Sequence, residues 1–227
     1  MEALIHTHRL TLLRLTDTSS PSSTHVRIFH ENWSNPDATA WSLHGPTHSL
    51  PESYEWMKEQ LAPELDSMFY AVFVKADTSK SASTSDDDTG LGKHIGSVSL
   101  RLQPSGPSLP ISQTSTSTNV RVLGYALFPS AWGKGYATEA GHALLHAYTA
   151  FVSSSSSFSG AQEDNDGTEP QKGKTYIEAA VDEGNPGSVK VLEKLGFKKL
   201  GWKREEGKMW LNGAWRNPGY WVYGMFV

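Results

Sequence analysis

The stretch PSAWGKGYATEAG, Pro129 to Gly141, constrains the fold more than any other. A strand-like segment, VRVLGYALF, runs into Pro129, which lacks the N–H that a sheet ladder needs and so ends the strand. Gly133 and Gly135 follow. Glycine reaches backbone conformations closed to other residues and lets the main chain come close to a ligand. GYATEAGHALLHAYTAF then places Ala137, Ala140, Leu144, Tyr148 and Phe151 at every third or fourth position, the period of an amphipathic helix. The first turn of such a helix leaves about four N–H groups without intrahelical partners. Its macrodipole adds roughly half a positive charge. A pyrophosphate suits that place.

The rest of the chain supplies the sheet around this unit. RLTLLRL, SMFYAVFVKA, HIGSVSLRL and VRVLGYALF read as strands, the last three as an antiparallel meander. THVRIFHENWS reads as a short helix, and PESYEWMKEQL as another that begins at Pro51. TYIEAAV is a strand and NPGSVKVLEKLGF a helix stopped by Gly196. Asn212-Gly213 marks a hairpin between aromatic-rich strands. The sum is an α/β (α+β) domain: a mixed, mostly antiparallel central sheet flanked by helices, with crossovers late in the chain.

Three stretches break the pattern, at about 77–94, 103–119 and 153–173, each rich in Ser, Thr, Asp, Gly or Pro and poor in large apolar residues. Such segments bury too little to repay their ordering entropy, so they are expected to be flexible loops inserted into one domain spanning 1–227.

Lys and Arg total 20 against 24 acidic residues, with no basic block, which argues against nucleic acid as a partner. No apolar run reaches the roughly 20 residues that span a bilayer, and MEALIHTHRLTLLRL is wrong for a secretory signal, so a cytoplasmic location is expected. The chain has no cysteine, which removes disulfides, thiolate metal sites and a cysteine nucleophile. His142 and His146 stand one helical turn apart, but HALLH lacks the glutamate of the zinc-protease motif; both read as solvated surface, and no metal site is expected.

Two phosphate-binding patterns fail at the glycine loop. A P-loop needs a glycine five residues before Gly133 and Ser or Thr after Lys134; the chain has Phe128 and Gly135 there. A dinucleotide fingerprint needs a third glycine where Thr138 stands. GYALFPSAWGKGYATEA resembles instead the acetyl-coenzyme A motif of the GNAT superfamily of N-acetyltransferases, Gln/Arg-x-x-Gly-x-Gly/Ala, with Trp132 in place of Gln/Arg. It is closest to the ribosomal-protein alanine acetyltransferase (RimJ/RimL-like) branch. NPGSVKVLEKLGFKKLGW is similar to that branch's Asn-x-x-Ser and Glu-Lys-x-Gly-Phe segment, matched at Asn185, Ser188, Glu193, Lys194, Gly196 and Phe197.

The resemblance implies transfer of an acetyl group from acetyl-coenzyme A to a primary amine, within a sheet whose splayed strand pair binds the acyl-coenzyme A. The favoured acceptor is a protein or peptide α-amine; a small-molecule amine and a catalytically silent acyl-coenzyme A binder are the alternatives. It implies that backbone groups of Gly133, Lys134, Gly135, Tyr136, Ala137 and Thr138 hold the pyrophosphate, and that free backbone groups of Ala126 and Leu127 bind the pantetheine arm and polarise the thioester. Asn185 contacts the cofactor or acceptor, or else serves as a helix cap. Many members carry a tyrosine where this chain has Leu192, which reads as core. The Ser188 hydroxyl is then the candidate to protonate the leaving thiolate. Glu178 and Asp182, on one strand face by alternation, are the candidate bases, with His44 a poorer one. Trp210, Trp215 and Trp221 read as core, and Trp33 and Trp41 lie near the expected acceptor loop.

Overall fold

The computed structural model describes residues 1–76, 90–111, 119–156 and 175–227. Eight of its strands form one sheet in the order β1-β2-β3-β4-β5-β6-β10-β7. These are β1 (Leu4–His6), β2 (Leu10–Arg14), β3 (Met68–Val74), β4 (Lys93–Leu102), β5 (Asn119–Leu127), β6 (Thr175–Val181), β7 (Lys198–Arg204) and β10 (Gly219–Phe226). β8 (Met209–Leu211) and β9 (Ala214–Arg216) pair apart as a hairpin turned by Asn212 and Gly213, both at positive φ (48° and 71°). That is the turn the Asn-Gly pair predicts. All neighbours in the large sheet are antiparallel except β5 and β6, which the long helix α3 (Tyr136–Ser156) joins in parallel.

Helices α1 (Thr24–Trp33) and α2 (Leu50–Gln60) cover one face of the sheet; α3 and α4 (Pro186–Lys194) cover the other. Apolar alternation builds both layers. In β3, Met68, Tyr70 and Val72 join the α3/α4 core, while Phe69, Ala71 and Phe73 face Val26, Phe29 and Met57. Burial on both faces explains the unbroken apolar run MFYAVFV. Side chains start three of the helices: Ser23 accepts from Val26 N–H, Ser49 from Glu52 N–H and Asn185 from Ser188 N–H. No helix among the described residues is long and apolar enough to cross a membrane.

Several expectations need correction. Lys93 and His94 belong to β4, and residues 153–156 extend α3, so the first and third inserted stretches are shorter than their composition suggests. Residues 103–108 of the second are tied down: Gln103 Nε2 donates to Gly106 O and to Glu178, and Ser108 N–H donates to the same carboxylate. Residues 77–89, 112–118 and 157–173, where flexible loops were expected, lie outside the described residues. Trp210 and Trp215 are not core. They pair across the β8–β9 hairpin, ring centroids 5.4 Å apart, and stay 58% and 66% exposed. Phe151 likewise leaves the buried stripe of α3 that Ala140, Leu144 and Tyr148 form.

Candidate functional site

The parallel ladder between β5 and β6 runs only from Asn119↔Thr175 to Val122↔Glu178. Beyond it β5 stays on β4 as far as Leu127, and β6 stays on β10 as far as Val181, so the sheet opens between them. A cleft of about 800 Å³ occupies the opening. On the α3/α4 side its wall includes Gly133, Gly135, Ser188, Lys190 and Lys194; on the α1/α2 side it includes Trp33, Trp41, Ser97 and Ser99. Its floor on that second face is made of small residues, Gly124, Ala126 and Ala180 among them.

One end is built for an anion. Gly133 and Gly135 adopt φ of 71° and 79°, the left-handed region that glycine enters without strain. Unlike α1, α2 and α4, helix α3 has no side-chain cap among the described residues, and its first main-chain bond beyond the turn is Glu139 N–H to Gly135 O, at 3.0 Å. The N–H groups of Tyr136, Ala137 and Thr138 are therefore left for a ligand. Lys190 and Lys194, one turn apart on α4, add positive charge to the cleft wall. The loop is braced from β2's end. Glu139 accepts from Thr7 Oγ1 (2.6 Å) and from Arg9 N–H and Nε (3.0 and 2.6 Å), and Arg9 Nη1 donates to Lys134 O (3.0 Å). Burial alone would raise the Glu139 pKa, but these bonds together hold it below its ordinary value.

The strand edge presents its groups alternately. Phe128 N–H donates to Ile95 O on β4 (3.0 Å). Alternation along β5 then turns the main-chain groups of 124 and 126 to β4, and those of 125 and 127 toward the opening. Trp132, in place of Gln/Arg, donates its Nε1–H to Leu127 O (2.7 Å), so of the Leu127 main-chain groups the N–H remains directed at the gap. Ala126, expected beside Leu127 as a free group, is not one: its carbonyl accepts from Asn32 Nδ2 at 3.1 Å, and Asn32 Oδ1 accepts from Ser97 Oγ at 2.6 Å.

Asn185 lines the cleft and also caps α4, accepting from Ser188 N–H at 3.1 Å, so the cap is real whatever else the side chain does. Ser188 Oγ lies 2.6 Å from the hydroxyl of Tyr125, which also donates to Ser188 O at 3.2 Å. Burial pushes the Tyr125 phenol up to about 12, only partly countered by the bond to Ser188. Tyr125 thus keeps its proton at any physiological pH. Leu192 is fully buried core, as its place in the helix stripe predicts.

The two acids of β6 separate. Glu178 is buried and turned away from the cleft, accepting from Gln103 Nε2 (2.6 Å), Ser108 N–H (3.0 Å) and Ser108 Oγ. A carboxylate so engaged, and outside the cleft wall, holds a loop and does not face the acceptor, so Glu178 is a structural anchor and not the candidate base. Asp182 does line the cleft. His44 stacks on Trp56, centroids 3.9 Å apart, outside the cleft wall. His142 and His146 are exposed on α3.

Tyr125, Asn32, Arg9 and Lys190 are not singled out by sequence, and Lys194 only as part of the Glu-Lys-x-Gly-Phe match. Only the lysines had a local signal, their four-residue spacing on a helix that follows the Asn-x-x-Ser segment.

The sequence model of the acetyltransferase (GNAT) domain matches residues 9–198. No curated protein sequence matches the chain. Among solved structures it is similar to an acetyltransferase (GNAT family) from Bacillus anthracis, at 15% identity and TM-score 0.56, covering 98% of this chain and 97% of that one. RimL, a ribosomal L7/L12 alpha-N-protein acetyltransferase in complex with coenzyme A, superposes at 16% identity and TM-score 0.58, over 99% and 98% of the two chains. A spermidine N-acetyltransferase from Vibrio cholerae, in complex with coenzyme A and spermine, does so at 18% and 0.52, over 97% and 96%. At these identities the likeness is one of fold.

Proposed function

The chain belongs to the GNAT acetyltransferase family, and from that premise we propose that it acetylates a primary amine, by preference the α-amine of a protein or peptide, with acetyl-coenzyme A as donor. The observation that carries this is the interrupted β5–β6 ladder, with an uncapped helix start on one side of the opening and an aromatic-walled hollow on the other. One end takes an anion and the other an acceptor. Coenzyme A supplies the activated acetyl thioester. Main-chain N–H groups of the Gly133–Thr138 loop hold the pyrophosphate, with Lys190 and Lys194 beside it. The Leu127 N–H is placed to stabilise negative charge on the thioester oxygen.

Ser188 is the proton donor to the departing sulfur, and Tyr125 orients it: either hydroxyl can donate in the bond they share, and when the phenol, which keeps its proton, turns its one hydrogen from Ser188 O to Ser188 Oγ, the serine hydrogen is free to point into the cleft. A thiol has a pKa of about 8.5, so modest help suffices. Ser188→Ala is expected to lower kcat about tenfold while the KM for acetyl-coenzyme A stays within about twofold. An unchanged kcat removes Ser188 from the chemistry.

The α-amine preference follows from the cost of freeing each kind of amine. Freeing a lysine amine of pKa about 10.4 at pH 7 costs about 4.6 kcal/mol, whereas an α-amine near 7.8 costs about 1. With Glu178 held outside the cleft wall, the amine that is cheaper to free is the favoured acceptor. A small-amine acceptor is the second reading, on the likeness to the spermidine enzyme. A competition assay separates them: one peptide with a free N-terminus and an internal lysine, offered with spermidine, the acetylated position read by mass spectrometry. Acetylation at the α-amine supports the proposal; acetylation of spermidine alone overturns the preference.

Arg9 acts on the loop through Glu139 and Lys134. Arg9→Ala is expected to raise the KM for acetyl-coenzyme A about fivefold and leave kcat nearly unchanged, because the brace shapes ground-state binding.

A further inference from the structure

We propose that Asp182 is the residue that receives the acceptor as an ammonium ion, through Oδ2. The assignment rests on the acetyltransferase reading of the cleft and names the group that recognises the acceptor within it. Asp182 follows β6 on the face that carries Ala180, the α1/α2 side of the opening where Trp33 and Trp41 stand. Its side chain is 5% exposed. Oδ1 accepts from Gly184 N–H (2.8 Å), and the main-chain carbonyl accepts from Asn185 N–H (3.0 Å), so a tight turn leading into α4 fixes the carboxylate in place. Oδ2 is buried and has no hydrogen-bond partner among the described residues.

A buried carboxylate oxygen without a donor is a costly arrangement, and something that supplies an N–H relieves it. Arg216 is an ion-pair partner of the carboxylate through Oδ1 and supplies no donor to Oδ2. Arg216 Nε stands 3.9 Å from Oδ1, beyond hydrogen-bond reach, donates to Leu211 O (3.1 Å), and its guanidinium lies over the Trp41 ring. The other acid on this strand face, Glu178, shows the contrast, since both its oxygens are engaged. A protonated amine carries three donors and the opposite charge, which makes it the ligand that Oδ2 lacks. Asp182 binds the amine in its charged form and positions it; the assignment concerns recognition of the acceptor and asks for no base from Asp182.

The test is a calorimetric titration with coenzyme A present, which needs no turnover. The probes are two matched pairs, tetra-alanine amide against its N-acetyl form, and butylamine against N-butylacetamide. The wild type is expected to bind at least one free amine about tenfold more tightly than its acetylated partner. Asp182→Asn keeps Oδ1 for Gly184 N–H and removes the charge; it is expected to bring that preference within about twofold, with coenzyme A affinity unchanged. Equal binding of both members of each pair by the wild type, including no binding of either, overturns the assignment, as does a preference that survives Asp182→Asn. Turnover is judged separately. An enzyme that acetylates amines with no dependence on Asp182 loses only this residue, whereas Asp182-dependent amine binding without any turnover removes the transferase reading and keeps the ammonium seat.

Discussion

Replacing Gly135 by valine is expected to weaken acetyl-coenzyme A binding by about 100-fold or more while the protein remains folded. Gly135 sits at φ 79°, and its carbonyl accepts the first bond of α3, from Glu139 N–H. A β-branched residue there is strained by about 1–3 kcal/mol, which the loop relieves by moving. Any movement turns the N–H groups of Tyr136, Ala137 and Thr138 away from the pyrophosphate. A Cβ at 135 also lies 3.5 Å from Arg9 Nη2, so the branched methyls press on the brace that holds Glu139 and Lys134. The core is distant from the change: Ala140, Leu144 and Tyr148 begin a turn later. Calorimetry with coenzyme A, next to a thermal melt, separates the two effects. Near wild-type affinity would remove the glycine loop from the binding site.

Gly96→Ala is expected to damage both stability and the site. In β3–β4 pairing Phe73 faces His94 and Val72 faces Gly96, which leaves Ile95 as the extra residue of a bulge. Gly96 takes φ 130° to make that bend, and a Cβ there would stand 2.2 Å from Ala126 O and 2.6 Å from Leu127 Cα. Both contacts are with main chain, so β5 must shift or β4 must straighten. A loss of about 3 kcal/mol or more is expected by denaturant titration. Since Leu127 lies on the displaced strand, cofactor affinity falls with it. A loss under about 1 kcal/mol would show that the strand edge is more yielding than this account requires.

The parts of the fold that were legible are those with a strong local signal. The apolar run of β3, the strand–glycine–helix unit around Gly133 and Gly135, and the α4 segment from Asn185 to Gly196 all sit where their patterns place them. β1 and β7 carry no such signal. β1 is three residues long, and β7, KKLGWKR, is a largely exposed edge strand whose polar residues mask alternation. The insertion of β10 between β6 and β7 is a long-range fact that no window of sequence contains. Composition misled in two directions. It made residues 103–108 look free, although Glu178 holds them, and it made Trp210 and Trp215 look buried, although they stand on a separate hairpin.

The site divides in the same way. Gly133, Gly135, Asn185 and Ser188 come together along one cleft, because each belongs to a motif with its own spacing. Tyr125 was invisible as a partner of Ser188, since nothing in VLGYALF tells that its hydroxyl meets a serine 63 positions later. Strand alternation put Glu178 and Asp182 on one face but could not say which had donors waiting for it. Likewise it could not show that Asn32, from a helix far back in the chain, takes the Ala126 carbonyl.

Acetyl transfer from acetyl-coenzyme A to an amine is measured by steady-state release of coenzyme A thiol across a panel of peptide N-termini and small amines, with the products identified by mass. Release that depends on an amine, a product heavier by one acetyl group, and loss of both in Gly135→Val are expected. Tight binding of coenzyme A with no amine-dependent release across the panel would contradict acetyl transfer and leave the protein a binder rather than a catalyst.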